Sequence, residues 1–439
     1  MTTVDQRRLF DASWYLSQHQ DVAGAGVDPL SHFLQEGWRE GRSPHPLFDL
    51  AWYLGEVPQL LEGGTDPLSH FLDTGWREGI SPHPLFDPAW YRRSNPDAVT
   101  ESTNPFLHFL EVGWREGRPP HPLFDVEWYL ASNPEVARSG ANPLAHYVAI
   151  GWRERRDPHP LFHTSWYIDS YPDVAAAGTE PLAHYLNHGF TEGRMPHPLF
   201  NAAWYVSHTP EADPHGDPLV HFVEEGWRLG YSPTPLFDVG WYLRAYPEVA
   251  RAGVNPFLHY LRTRGRGGYS PHPLFDTGWY LERNPDVADA GSDPLVHYVT
   301  IGWRQSRNPN LLFDADWYLS KNRDLAALGV EPFAHYVANG CGEQREAHPL
   351  FDADWYVRHT PDVPSDGTLP LVHFLTVGRY RGYDPSPLFD TAWYVERHPE
   401  AAGYPGGPVG HFLEIGLVAG AAPSRRARDM RMHRALREG

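Results

Sequence analysis

Cysteine is all but absent, with Cys341 alone in 439 residues. No intramolecular disulfide can form, which excludes a disulfide-stapled scaffold and a cysteine zinc site within one chain. No run of 18 apolar residues occurs, so no membrane-spanning helix is expected. The opening MTTVDQRRLF lacks the basic-then-apolar layout of an export signal. The expectation is a soluble, cytoplasmic protein, with leaderless export left open. Positive charge is also short: 36 Lys and Arg face 55 Asp and Glu, and the formal charge of −19 disfavours nucleic acid and acidic membrane faces. Methionine is scarce at four, whereas 17 Trp, 23 Tyr, 21 Phe and 44 Pro are too aromatic for disorder and too proline-rich for long helices.

What is present is a period. The phrase LFD-x-x-WY returns with its Phe at Phe10, Phe48, Phe86, Phe124, Phe162, Phe200, Phe237, Phe275, Phe313, Phe351 and Phe389. The spacing is 38 residues, once 37, so eleven units fill 9–423 between a leader, 1–8, and a basic tail, 424–439. No room remains for a separate catalytic domain. Each unit reads as short helices. Asp11 stands as an N-cap before Trp14, Tyr15 and Leu16; an Asn-Pro-Asp-Val-Ala segment such as 284–288 opens a second turn. Asp28-Pro29 opens a third helix that Gly37 is expected to stop in a left-handed conformation, with Trp38 packing back over Phe33. All 17 Trp fall at two repeat positions, and Cys341 occupies one of them as a small apolar substitute. Helices too short to stand alone, without period-two runs, predict an all-α solenoid of eleven repeats, whether arc, superhelix or closed ring.

One histidine recurs in every unit: His32, His70, His108, His146, His184, His221, His259, His297, His335, His373 and His411. A ladder of metal sites is one reading. The structural reading is an imidazole bridging backbone groups or the capping Asp of an adjacent unit, and layer spacing of about 8–10 Å, too wide for stacked rings to share one ion, favours it. A second histidine, in Pro-His-Pro at His45, His83, His121, His159, His197, His272 and His348, gives way to Thr234, Asn310 and Ser386, which suits a loop brace better than a ligand. No calcium loop, phosphate loop or nucleophile elbow occurs, and acid pairs copied eleven times are unlike one active site, so no catalytic residue, cofactor or metal is assigned.

Departures from the consensus are the candidate binding residues. Copy six is one residue short around His215 and Gly216. Copy seven carries Arg264, Arg266 and Tyr269, and copy ten Arg379, Tyr380, Arg381 and Tyr383. These basic-aromatic patches suit anionic or sugar groups, or mark drift in a tolerant loop.

The unit, written LFD-x-x-WYL-x-x-NPDVA-x-AG-x-x-PL-x-HY-x-x-x-GWREGR-x-PHP, resembles a repeat of bacterial proteins found beside glycosyltransferase domains of polysaccharide biosynthesis and in surface or RTX-like calcium-associated proteins. The resemblance covers nearly the whole chain and implies a cell-envelope or glycan context without an activity. The glycosyltransferase partner and the RTX nonapeptides are missing here, so neither enzyme activity nor calcium carries over. The expected function is a non-catalytic scaffold that binds a protein partner or itself; a glycan-binding module is the alternative, and a His-ladder metal protein the third.

Overall fold

The computed structural model describes residues 3–211, 213, 216–364 and 367–429. It is all-α: among the described residues there are no strands, only isolated bridges such as His45 with Phe48. The chain divides into two compact bodies, Met1–Glu225 and Gly226–Gly439.

The first helix of a unit, Ala12–Gln18 in copy one, begins where Asp11 accepts a hydrogen bond from the Trp14 amide at 2.9 Å. The same cap recurs in every copy but the fifth, where His163 makes no such bond. The Asp11 amide in turn donates to the Pro44 carbonyl at 3.0 Å, so the Pro-His-Pro segment that ends a unit is pinned to that unit's own start. Tyr15 is fully buried from this helix, as are its counterparts. A second short helix follows, Gln20–Ala25 here and Pro134–Ser139 in copy four, closed by a left-handed glycine such as Gly26.

The third helix differs from expectation. Asp28 caps it and Pro29 opens it, but after one turn, Pro29–His32, it widens into a π-helical turn, Phe33–Gly37. The Trp38 amide then reaches back five residues to the Phe33 carbonyl at 3.2 Å. Nine units share this π turn. Gly37 is therefore not a left-handed stop; the left-handed residue lies four positions on, at Gly41 with φ 77°. The glycine is needed for space instead. A Cβ on Gly37 would collide with the Tyr15 hydroxyl, and the same collision awaits at Gly75, Gly113, Gly151, Gly189, Gly302, Gly340, Gly378 and Gly416. Two units lack the π turn: copy eight, which keeps Gly302 and runs as plain α over Pro294–Thr300 before a 3-10 turn, and copy seven. Arg264 holds the glycine's place, and there the helix runs as plain α over Pro256–Thr263 and ends on Arg264 itself, left-handed at φ 52°.

Successive units meet through aromatic rings set edge to face, as with Phe71 and Phe106 at 5.8 Å or Tyr298 and Phe333 at 5.8 Å. Contacts also join units three apart within a body. In the first, Arg93 of copy three approaches Glu224 of copy six at 3.8 Å, and Arg8, ahead of copy one, pairs with Glu111 of copy three at 2.6 Å. In the second, Trp279 and Arg283 of copy eight bind Glu414 of copy eleven at 3.1 and 2.6 Å. Each glutamate stands two residues before the unit's glycine position.

Candidate functional site

The recurring histidine is consumed locally. Its Nδ1 lies 2.7–3.0 Å from the hydroxyl of the buried tyrosine of the same unit, from Tyr15 with His32 through Tyr394 with His411. The expectation of a backbone group or the neighbouring unit's capping Asp as partner is corrected: the partner is this phenol. It sits between the imidazole and the glycine, so tyrosine, histidine and glycine form one knot. Burial raises the phenols, that of Tyr15 to about 12, which keeps the hydroxyl protonated. Burial also lowers His146, His184, His259, His297 and His335. Among the described residues no three His, Cys, Asp or Glu side chains converge as a metal-ligand set.

The Pro-His-Pro ring braces its loop. His121 Nδ1 accepts the Leu123 amide at 3.1 Å, and burial lowers the ring to about 4. Asn310 reproduces this with its Oδ1, which accepts the Leu312 amide at 2.8 Å. In GWREGR the first arginine stacks on the tryptophan, Arg39 at 4.3 Å over Trp38, and the second pairs with the middle helix, Arg42 to Asp21 at 2.7 Å. The bond from Arg42 holds the Asp21 carboxyl down at about 2. Cys341 is half-buried, and burial raises its thiol.

The candidate binding residues fall into two separate clusters. In copy seven, Arg264 Nη1 donates to the Gly291 carbonyl at 3.3 Å, and a Cβ on Gly291 would come within 2.6 Å of Arg266 Nη2. Tyr269 packs against Tyr246 and His259 at 4.8 and 4.7 Å. The two arginines serve the seam with the next unit, whereas Tyr269 packs within its own. In copy ten, Arg381 pairs with Asp362 and Tyr383 stacks on His373. Arg379 lies 4.7 Å over the exposed ring of Tyr380, and its Nε is buried without a hydrogen-bond partner. Of the copy-six deletion, His215 lies outside the described residues and Gly216 donates to the Asp213 carbonyl at 3.1 Å. The tail forms a short helix, Arg425–Asp429, with Ser424 Oγ accepting the Ala427 amide; 430–439 lie outside the described residues.

Arg379 belongs to a groove of about 310 Å³ in the second body, with Trp279, Asp276, Glu282, Leu311 and Thr376 among its walls. Trp279 is held at both ends. Its backbone amide donates to Asp276, and its indole N–H donates to Glu414, which also accepts from Arg283 and from the Tyr404 hydroxyl. Burial works to raise the Glu414 carboxyl, but those three donors outweigh it and hold the group low and ionised. Sequence reasoning found Arg379 because it breaks the consensus; Trp279 obeys the consensus, and its anchor stands 135 residues away. A wider depression of about 950 Å³ borders Trp355 and Trp393, on whose indoles His359 and Arg397 stack at 4.1 Å; Arg283 stands farther off the Trp279 ring, at 5.1 Å.

Compared with known proteins, the chain matches no family model, no curated protein and no solved structure.

Proposed function

We propose that the eleven units stack as an α-solenoid that acts as a non-catalytic scaffold and binds a protein partner. The observation that carries the reading is that the polar side chains that repeat most faithfully are spent inside the units. The tyrosine holds the histidine, the first aspartate caps its helix, and the GWREGR arginines hold tryptophan and aspartate. Repetition then serves architecture, and recognition falls to the surface positions that vary from copy to copy.

One such surface is apolar. Val112 and Ile150 occupy the same place in copies three and four, just before the glycine, and are 43% and 47% exposed. Beside them Arg115 and Arg153 stack at 4.3 Å on the buried Trp114 and Trp152. Apolar side chains rimmed by arginine on a rigid aromatic base suit a protein contact with an acidic rim. The test compares the full chain with the double variant Val112→Glu/Ile150→Glu. A partner that the wild type retains, that the variant loses, and that re-forms a complex from purified components supports the scaffold. Identical partners for both chains, or none for either, would refute it.

A further inference from the structure

The groove around Trp279 and Arg379 has no place in the scaffold reading. We infer that it is a binding subsite for an uncharged carbohydrate, a pyranose ring lying against the side of the Trp279 indole that Arg283 does not cover, with its hydroxyls shared between Arg379, Glu282 and Asp276. Nothing in this inference depends on a protein partner.

Four observations carry it. First, the indole is fixed before any ligand arrives. Asp276 takes the backbone amide at 3.0 Å and Glu414 the ring N–H at 3.1 Å, so little conformational freedom is left for binding to remove. Second, Arg379 Nε is a buried N–H donor with no partner, a costly arrangement unless an oxygen meets it. Of the other nitrogens of that guanidinium, Nη2 donates to the Tyr380 hydroxyl at 2.6 Å. Third, the rim mixes acceptors with this donor. Glu282 and Asp276 are exposed carboxylates facing the same groove as Arg379. An anion would meet the two carboxylates and a cation the guanidinium, whereas hydroxyl groups both donate and accept. Fourth, the size fits: about 310 Å³ is at the lower end for small-molecule sites and has room for a short saccharide.

Arg379 also explains why this groove differs from its relatives. Elsewhere its place is held mainly by a tryptophan under a stacked arginine, as with Trp76 and Arg77 at 4.3 Å. In copy ten that indole is gone, and the guanidinium lines the groove instead.

The experiment uses the full chain. Maltohexaose, cellohexaose and mannohexaose are the uncharged probes and an oligogalacturonate the charged one, followed by calorimetry and by saturation transfer from the protein. At least one uncharged probe is expected to bind and to quench tryptophan emission. Arg379→Leu should weaken that binding at least tenfold. Thr376→Trp, which fills the groove and leaves Trp279 and Arg379 in place, should abolish it. Trp241→Phe, at the matching position of the preceding unit, should leave it unchanged. Failure of all three uncharged probes to bind, binding of the oligogalacturonate alone, or binding indifferent to both Arg379→Leu and Thr376→Trp overturns the inference. Thr376→Trp guards against a folding artefact, because circular dichroism and the melting midpoint of that exposed-site variant should match the parent.

Discussion

Gly113 touches the Tyr91 hydroxyl, and Tyr91 holds His108 at 2.9 Å, so three residues spread over 23 positions of sequence share one small volume. A methyl on Gly113 must push the phenol away or bend the π turn. Gly113→Ala should therefore destabilise by roughly 1–3 kcal/mol, the usual range for overpacking. Tyr91→Phe opens the space at the cost of the bond to His108, about 1 kcal/mol. The double variant should be less destabilised than the sum of the two, by about 1 kcal/mol or more, in denaturation of the full chain. Strict additivity would mean that the glycine is kept for backbone freedom and not for the hydroxyl. The buried loop histidines give a second residue-scale effect. His45, His83, His121 and His272 sit at about 4, with His348 and His197 also lowered by burial. A ring whose folded pKa is depressed contributes stability in full above its unfolded value of about 6.5, and loses it as pH falls toward the folded value. Four buried caps oppose this. Desolvation raises Glu180 and Glu331 to about 7 and Asp217 and Asp293 to about 6, so those carboxyls give stability below their unfolded values and lose it as pH rises through 6 to 7. The lowered rings, the third-helix histidines His146, His184, His259, His297 and His335 among them, outnumber the raised carboxyls even with Asp314 and Asp384 added, and denaturation midpoints should fall as pH drops from about 6 to about 4. His272→Asn, which copies the natural Asn310 of the next unit, should flatten that fall by one proton. Asp293→Asn, which copies the natural Asn255 cap, should steepen it by one.

The helix starts were readable in sequence because their causes are local. An aspartate three residues before a free amide and a proline at the first helical position act within one turn, and the structure has both at Asp11 and Pro29. The helix ends were not readable, because their cause is distant. Gly37 followed by a large apolar residue carries the local signature of a left-handed stop, yet a tyrosine 22 residues earlier decides the matter by occupying the glycine's open side. The histidine was placed correctly on the third helix but given the wrong partner for the same reason: Tyr15 is one of three consecutive apolar residues, and nothing in its neighbourhood marks it as the one whose polar end is buried. Of the groove, sequence offered Arg379 and withheld Trp279, whose fixed position depends on a glutamate three units away. Copy seven gives the element-scale test. Arg264 adopts a left-handed conformation that costs a non-glycine residue about 1–2 kcal/mol, and its guanidinium offers in return a 3.3 Å contact to Gly291 on an exposed surface. Arg264→Gly should raise the melting midpoint of the full chain by relieving that strain. It should also lengthen amide protection through 256–263 in hydrogen exchange. A lower midpoint would show that the guanidinium holds the seam with copy eight more strongly than its geometry indicates.

Within each body, contacts join units three apart, and they differ in strength in a way that burial explains. Arg8 and Glu111 are each more than 40% exposed, so water screens the pair and its removal should cost well under about 1 kcal/mol. Glu414 is 19% exposed and accepts from an indole, a guanidinium and a phenol at once. Losing its charge leaves three donors short of a full partner, for which about 1.5–3 kcal/mol is the ordinary range. Glu414→Gln should thus be the costlier of the two substitutions in denaturation, and Glu111→Gln should be near neutral. Added salt should erase the small effect of Glu111→Gln and spare most of the larger one, since half-buried pairs are screened least. Glu414→Gln should also shift Trp279 emission, because the indole loses its charged acceptor, and this readout separates release of the ring from general loosening of the second body. Equal costs for the two variants would mean that burial does not set the strength of these contacts, and an emission spectrum unchanged by Glu414→Gln would mean that the carboxylate does not hold the ring.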